Sequence, residues 1–277
     1  TPRDALDRLH EYLDPQHPDY PRRIERARPL APLLCRSPLF RRAQQKPRRL
    51  AGDYMTLLMI YRNVAQGGSR AAREMDAWML DLATARALRW SRRLLARAVA
   101  DCAEAAGRPV RILSAGSGPL AEFADLGPEP LGRIAEVATV DVDPQANAHV
   151  RAALGGRVAL RQIEDNVLRA MRTDLGQRYD LVYAVGMLDY LTDANARRLA
   201  GWLARHRAPG GRMLLGTVSP DWPDRGIFEL AAWYRTLRGP QALFALAREA
   251  GLGALALDIE TDPSGTQQIL VASPGAA

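Results

Sequence analysis

Apolar positions recur along this chain with two different periods, and the change falls near residue 109. Before it the pattern is helical: "DALDRLHEYL", "DYMTLLMIYRNVA", and a long stretch over residues 73–106 in which Met75, Trp78, Met79, Leu82 and Leu88 fall on one face. Pro15, Pro18, Pro21, Pro29 and Pro32 interrupt the beginning, and Gly67-Gly68 separates the later helices. Nothing there alternates as a strand does. Beyond Pro109 strands and helices take turns. The strands read "VRILSA", "EVATVDV", "RVALRQI", "YDLVYAV" and "RMLLGTV". The helices between them open at "LAEFADL", "PQANAHVRAAL", "VLRAMRTDL" and "DANARRLAGWLARH". After an irregular segment and the helix "PQALFALAREAG", two last strands, "ALALDIE" and "QQILVAS", flank the turn "TDPSG".

Strands alternating with helices imply right-handed crossovers and a mainly parallel sheet covered on both faces. Two strands joined by a short turn must run antiparallel, so the sheet ends with a reversed strand. The expected fold is α/β: a Rossmann-like core with a seven-stranded mixed sheet over residues 109–277, carrying a helical N-terminal cap or lid over residues 1–108.

Composition narrows the class. A chain of 277 residues can bury a substantial core as one large domain, or as a core with a smaller companion. The net charge is +7 and the pI near 9.9. Lys46 is the only lysine, however, and the arginines are scattered rather than gathered into a basic tract with interleaved aromatics. Nucleic acid is therefore not the expected partner. Cys35 and Cys102 form no disulfide framework, and His10, His17, His149 and His206 show no ligand spacing, so a reducing compartment and no metal are expected. No apolar run reaches bilayer length and no signal peptide opens the sequence. The Thr1-Pro2 start suggests processing or trimming. These features point to a cytoplasmic protein with no stable membrane insertion, and a homodimer is compatible with them.

The chemistry concentrates at "VRILSAGSGPLAEFADL". Gly116-Ser117-Gly118 falls between the first strand and the first helix, where an open α/β sheet places its ligand. Glycine admits dihedrals closed to other residues and lets ligand atoms approach the backbone. Alone, such a turn fits a ligand-free connection equally well. The second strand ends in "VATVDVDP", which sets Asp141 at the carboxyl edge of the sheet about 20 residues later, where a carboxylate accepts from both hydroxyls of a ribose. Together they favour a nucleoside. Gly116-x-Gly118-x-x-Ala121 also fits the permissive dinucleotide fingerprint. A dinucleotide needs a second mononucleotide half, though, and this chain ends in a hairpin instead.

"YDLVYAVGMLDYL" followed by "LARHRAPGGRMLLGTVS" resembles the fourth and fifth strands of class I S-adenosylmethionine-dependent methyltransferases. More narrowly, "KPRRLAGDYMTLLMIY", "GSGPLAEF", "VDVDPQA" and "ELAAWYRT" resemble the group that makes 3-hydroxy fatty acid methyl esters as bacterial quorum signals. Arg49-Leu50 stands where that group has Gly-Tyr, and Ser117 where it has cysteine. The resemblance implies S-adenosylmethionine as cofactor. It sets Gly116, Ser117 and Gly118 under the methionine part, with Gly186 and Ser114 in the same set; Ser114 stands where many members carry an acidic residue near the amino group. Asp141 would hold the ribose, Val142 lie against the adenine, and Asp165 and Asn166 meet its exocyclic amine. Val142 also fits plain core, and Asp165 a helix cap.

Methyl transfer from a sulfonium is a direct displacement, so the protein must align the nucleophile and exclude water, adding a base only for a hydroxyl or amine. Candidates for substrate contact are Asp53, Tyr54 and Tyr61 in an otherwise apolar helix that could close as a lid, and Met187 after strand four, beside the catalytic candidates Asp189 and Tyr190. Trp222, Trp233 and the catalytic candidate Arg235 follow strand five. Tyr54, Tyr61 and Trp233 fit core packing as well. Arg235, flanked by aromatics, suits a carboxylate held by both arms of its fork. No Ser-His-Asp, Cys-His or paired-carboxylate arrangement suggests hydrolysis. The expected function is methylation of a small molecule, with the carboxylate of a hydroxy fatty acid as preferred acceptor. Alternatives are a hydroxyl, amine or carrier-bound acceptor, a nicotinamide oxidoreductase, and a non-catalytic binder of S-adenosylmethionine.

Overall fold

The computed structural model of the chain describes residues 2–275. Its contacts separate two units. One holds the described residues up to Trp90 together with Asp221–Arg235 and Pro263–Thr266; the other holds Ser91–Pro220, Thr236–Asp262 and the described residues from Gln267 on.

The first unit is helical, and polar side chains fix its helix ends. Ser37 caps the helix Pro38–Gln45, Asp53 caps Tyr54–Arg62, and Ser69 caps Arg70–Asp81, each accepting a backbone N–H of the first turn. The single helical pattern over residues 73–106 proves to be two helices, Arg70–Asp81 and Ala83–Ala105, broken where Leu82 turns to a ψ of 152°. The break has a distant cause. Asp224 Oδ2 accepts the Thr84 backbone N–H at 2.6 Å and the Thr84 hydroxyl at 2.9 Å, capping the second helix from another part of the chain. Trp222 Nε1 donates to the same Thr84 hydroxyl at 2.7 Å, and the Trp222 side chain is buried. His10 meets the other oxygen of Asp224 at 3.0 Å. Residues 221–235 are thus held by hydrogen bonds to His10 and Thr84, far earlier in the sequence.

The second unit is built on the expected seven-stranded mixed sheet. Its strands are β1 (Val110–Ala115), β2 (Ile134–Val140), β3 (Leu160–Ile163), β4 (Tyr179–Val185), β5 (Arg207–Val218), β6 (Ala256–Thr261) and β7 (Gln267–Ser273), in the order β3-β2-β1-β4-β5-β7-β6. The first five run parallel and β7 runs antiparallel to both of its neighbours, which is the reversed last strand. Leu113, Ala115, Val182 and Ala184 lie in one buried cluster with Leu199, Trp202 and Leu203 of the helix Asp193–His206 and Leu243 and Ala247 of the helix Pro240–Glu249. Truncating one such leucine to alanine costs about 2–5 kcal/mol, so this layer holds the sheet rigid behind its carboxyl edge. The Pro-Gly-Gly stretch forms a bulge inside β5: a Cβ on Gly211 would lie 2.8 Å from the Asp180 carbonyl oxygen. The chain order reverses between β1 and β4, and such a switch point opens a crevice at the strands' carboxyl ends.

Two crossover elements are shorter than the pattern suggests. After β1 there is a 3₁₀ segment, Ala121–Asp125, entered through Leu120 in the left-handed region at φ 49°, rather than the helix expected to open at "LAEFADL". The helix after β3 ends at Ala170, four residues after its Asn166 cap. Both stretches are too short to bury a regular helical face.

Candidate functional site

At the switch point the turn after β1 folds back on β2. Gly116 and Gly118 have φ of 69° and 53°, conformations that L side chains rarely adopt. Gly116 and Ser117 both donate their N–H to the Val140 carbonyl, at 2.8 and 3.4 Å. A Cβ on Gly116 would meet Met187 Cε at 2.7 Å and its Cβ at 3.0 Å, so the residue after Gly186 lies directly over the glycine. Gly186 itself has a φ of 82°. The Ser117 hydroxyl is buried and has no hydrogen-bond partner among the described residues. Ser114 is buried in β1, opposite Thr139 and Tyr183.

Asp141 follows the last residue of β2. One of its carboxylate oxygens accepts the Gly118 N–H at 2.8 Å and the other the Asp143 N–H at 2.9 Å, so one side chain ties the glycine turn to the loop beyond β2. Burial raises its pKa above the ordinary carboxylate value, while the N–H groups of Asp143 and Gly118 work in the opposite direction. Next to it Val142 is 56% exposed, a large apolar side chain presented at a strand end. On the neighbouring loop Asp165 accepts the Asn166 N–H at 2.7 Å and lies 3.3 Å from Arg169. The cap of the next helix is Asn166, whose Oδ1 accepts from Leu168 at 2.8 Å. The chain therefore brings Gly116, Ser117, Gly118, Asp141 and Val142 together at adjacent strand ends, with Asp165 and Asn166 on the loop after β3.

The turn after β4 holds Met187, Asp189 and Tyr190. Asp189 is buried, and its Oδ1 accepts the Thr217 hydroxyl at 2.8 Å and the Val218 N–H at 3.0 Å. Tyr190, at the end of the 3₁₀ turn Leu188–Tyr190, is half-buried. A residue that sequence reasoning passes over fixes this turn. Buried Arg238 donates to the carbonyls of Leu188 and Leu191 at 2.7 and 2.6 Å and to the Asp193 carboxylate. Glu122 is a second missed residue: it is buried in the 3₁₀ segment that follows the glycine turn, accepts the Tyr183 hydroxyl, and has its pKa raised by burial. One polar residue in a short 3₁₀ segment gives no periodic signal that could have marked it.

The remaining candidates belong to the helical unit. Asp53 caps its helix through the Thr56 N–H at 2.8 Å and binds Arg42 through both oxygens, at 2.6 and 3.2 Å. Tyr54 lies under the Arg48 guanidinium, 5.1 Å away, and Tyr61 is half-buried on the same helix. Trp222 and Trp233 are buried, and the Arg235 guanidinium lies over both, 5.2 and 4.6 Å from their ring centres. Two aromatic faces thus hold that fork.

Among the described residues no helix is long and apolar enough to cross a membrane, and no group of three or more His, Cys, Asp or Glu is placed to hold a metal ion. No curated protein matches the chain. Several solved structures share its fold. A Bordetella parapertussis protein described as a possible exported protein has 18% identity and a TM-score of 0.61, over 89% of this chain and 97% of that one. Magnesium protoporphyrin IX methyltransferase from Synechocystis, solved with S-adenosylhomocysteine, has 13% identity and a TM-score of 0.52 over 80% and 94%. The N-methyltransferase NodS from Bradyrhizobium japonicum, also solved with S-adenosylhomocysteine, has 15% identity and a TM-score of 0.50 over 80% and 98%. A family model described as a methyltransferase domain matches residues 87–253. With more than half of its length matched in this way, the chain belongs to the methyltransferase domain family and is a methyltransferase that uses S-adenosylmethionine as its methyl donor.

Proposed function

We propose that this enzyme forms a methyl ester on the carboxylate of a small amphipathic acid, a hydroxy fatty acid in the first instance, as its resemblance to the quorum-signal ester group implies. S-adenosylmethionine supplies a methyl group already activated by its sulfonium. The residues at the switch point fit that cofactor. Gly116 and Gly118 leave the backbone of the turn open to close approach. The buried Ser117 hydroxyl has an unmet hydrogen bond, and Val142 presents an apolar face suited to an adenine. Asp141 accepts the Gly118 N–H through one oxygen and the Asp143 N–H through the other, and a carboxylate oxygen has a second lone pair for a ribose hydroxyl. Ser114 and Gly186 flank the methionine part, and Asp165 and Asn166 meet the adenine's amine.

The observation that favours a carboxylate acceptor is the placement of Asp189. It is the carboxylate on the turn after β4 and the natural base for a hydroxyl or amine, yet its Oδ1 accepts both the Thr217 hydroxyl and the Val218 N–H, which hold the side chain against β5. A fatty acid, with a solution pKa of about 4.3 like a glutamate side chain, is ionised at neutral pH and needs orientation rather than a base. In this reading Arg235 is the fork that receives the acid, its guanidinium lying over the rings of Trp222 and Trp233.

The test is the single-turnover rate with S-adenosylmethionine and a 3-hydroxy fatty acid, followed across roughly pH 6 to 9. A nearly flat profile is expected, with Asp189→Asn retaining activity. A rate that climbs steeply over that range, or collapses in Asp189→Asn while Arg235→Met is tolerated, would replace this reading with base-assisted methylation.

A further inference from the structure

We infer that Asn147 is a positioning residue that sets the spacing between the two loops assigned to the nucleoside, an inference that rests on the cofactor reading above. Asn147 lies in the first turn of the helix Pro144–Leu154 and is fully buried. Its carboxamide nitrogen donates to the backbone carbonyl of Asp141 at 3.1 Å and to the Glu164 carboxylate at 3.3 Å. Both partners are acceptors, so the NH₂ end must face them and the amide has only one sensible orientation. Asp141 begins the loop after β2 and Glu164 the loop after β3. One side chain therefore joins the loop carrying the ribose carboxylate to the loop carrying Asp165.

Packing alone does not explain the residue. The Asn147 Oδ1 atom is buried without a partner among the described residues, a cost that an apolar side chain of similar size would avoid. The helix backbone is tied in separately, since Gln162 Nε2 donates to the Asn147 carbonyl at 2.9 Å. What the carboxamide adds is the cross-link between the loops. A nucleoside bound at its hydroxyls by one loop and at its exocyclic amine by the other is recognised only if their separation is fixed. Losing the cross-link should therefore weaken recognition of the amine more than grip on the rest of the ligand.

The experiment compares calorimetric binding of S-adenosylhomocysteine with that of S-inosylhomocysteine, which carries a carbonyl oxygen in place of the amine. The native enzyme should prefer the adenosyl compound, because the carbonyl would face the Asp165 carboxylate. Asn147→Ala should weaken S-adenosylhomocysteine by about tenfold while leaving the inosyl compound nearly unchanged, so that the preference shrinks. Glu164→Ala, at an exposed position with little risk to folding, should do the same. Glu164→Gln keeps an acceptor oxygen and should keep the preference. Equal weakening of both ligands in Asn147→Ala and Glu164→Ala would mean a merely structural role and overturn the inference. So would native-like preference in both variants. Asp141→Ala separates the two levels. If it leaves S-adenosylhomocysteine affinity unchanged, the nucleoside assignment falls and takes the inference with it. If it weakens binding while Asn147→Ala does not, the inference alone falls.

Discussion

The carboxylate of Asp189, on the turn after β4, accepts the hydroxyl of Thr217 on β5 at 2.8 Å. The turn that faces the carboxyl edge of the sheet is thereby fastened to the neighbouring strand. Asp189→Asn keeps an oxygen that can accept from both Thr217 and Val218, so it should cost less than about 1 kcal/mol. Asp189→Ala leaves both buried donors without an acceptor and should cost about 1–3 kcal/mol in urea unfolding. Equal losses in the two variants would show that charge, rather than hydrogen bonding, matters at this position.

Asp141→Ala should weaken S-adenosylhomocysteine by tens to hundreds of fold, about 2–3 kcal/mol for loss of a charged hydrogen-bond partner. The pH dependence has a definite sign. Burial raises the Asp141 pKa, so the free enzyme protonates it at a higher pH than an ordinary aspartate. The protonated carboxyl is a poorer acceptor for ribose hydroxyls. Affinity should therefore fall as pH is lowered, beginning above the usual value of about 3.9, and Asp141→Asn should flatten the decline. Calorimetry from neutral to acid pH checks both.

The pattern of apolar residues revealed the sheet and its reversed strand because each strand is a short apolar run closed by turn residues. The helices Pro144–Leu154 and Asp193–His206 were also legible, since their caps Asp143 and Thr192 adjoin them in sequence. The break at Leu82 was not, because its cap, Asp224, lies 140 residues away from Thr84. The same limit applies to the site. A strand-end aspartate such as Asp141 announces itself by position. That Asp189 is hydrogen-bonded to β5 can be seen only once β5 is laid beside β4, and nothing local marks Asn147 or Arg238.

His10 supplies a stability prediction of opposite sign. Its hydrogen bond to Asp224 is the largest of the influences that raise its pKa above 6.5, against the opposing effect of burial. A histidine whose folded pKa is raised stabilises the fold fully below the unfolded value and loses that contribution as pH rises through the folded value. The melting temperature of His10→Gln should therefore lie furthest below that of the native chain near pH 6, and the difference should shrink toward about pH 9. A difference that grows with pH would assign the contact to neutral histidine.

Gly116→Ala tests the glycine turn. Alanine at a φ of 69° costs about 1–2 kcal/mol by backbone strain, and its Cβ would press on Met187. Reduced stability and reduced S-adenosylhomocysteine affinity are expected together. Adding Met187→Ala should recover part of the loss, because it removes the contact at Cγ and Cε and leaves the strain. Full recovery would mean that φ at this position is freely adjustable.

The helical unit is assembled from stretches that the ribosome makes far apart in time. Its residues up to Trp90 emerge first, and the Asp221–Arg235 segment follows only after β1 to β5 have been synthesised. Until then Thr84 lacks its Asp224 cap, and the hydroxyl that receives Trp222 has no such donor. At translation rates of about 5–20 residues per second, the nascent helices wait for seconds with apolar faces uncovered. That delay is the interval in which a chaperone would find this chain, and it is set by the order of the segments rather than by their stability.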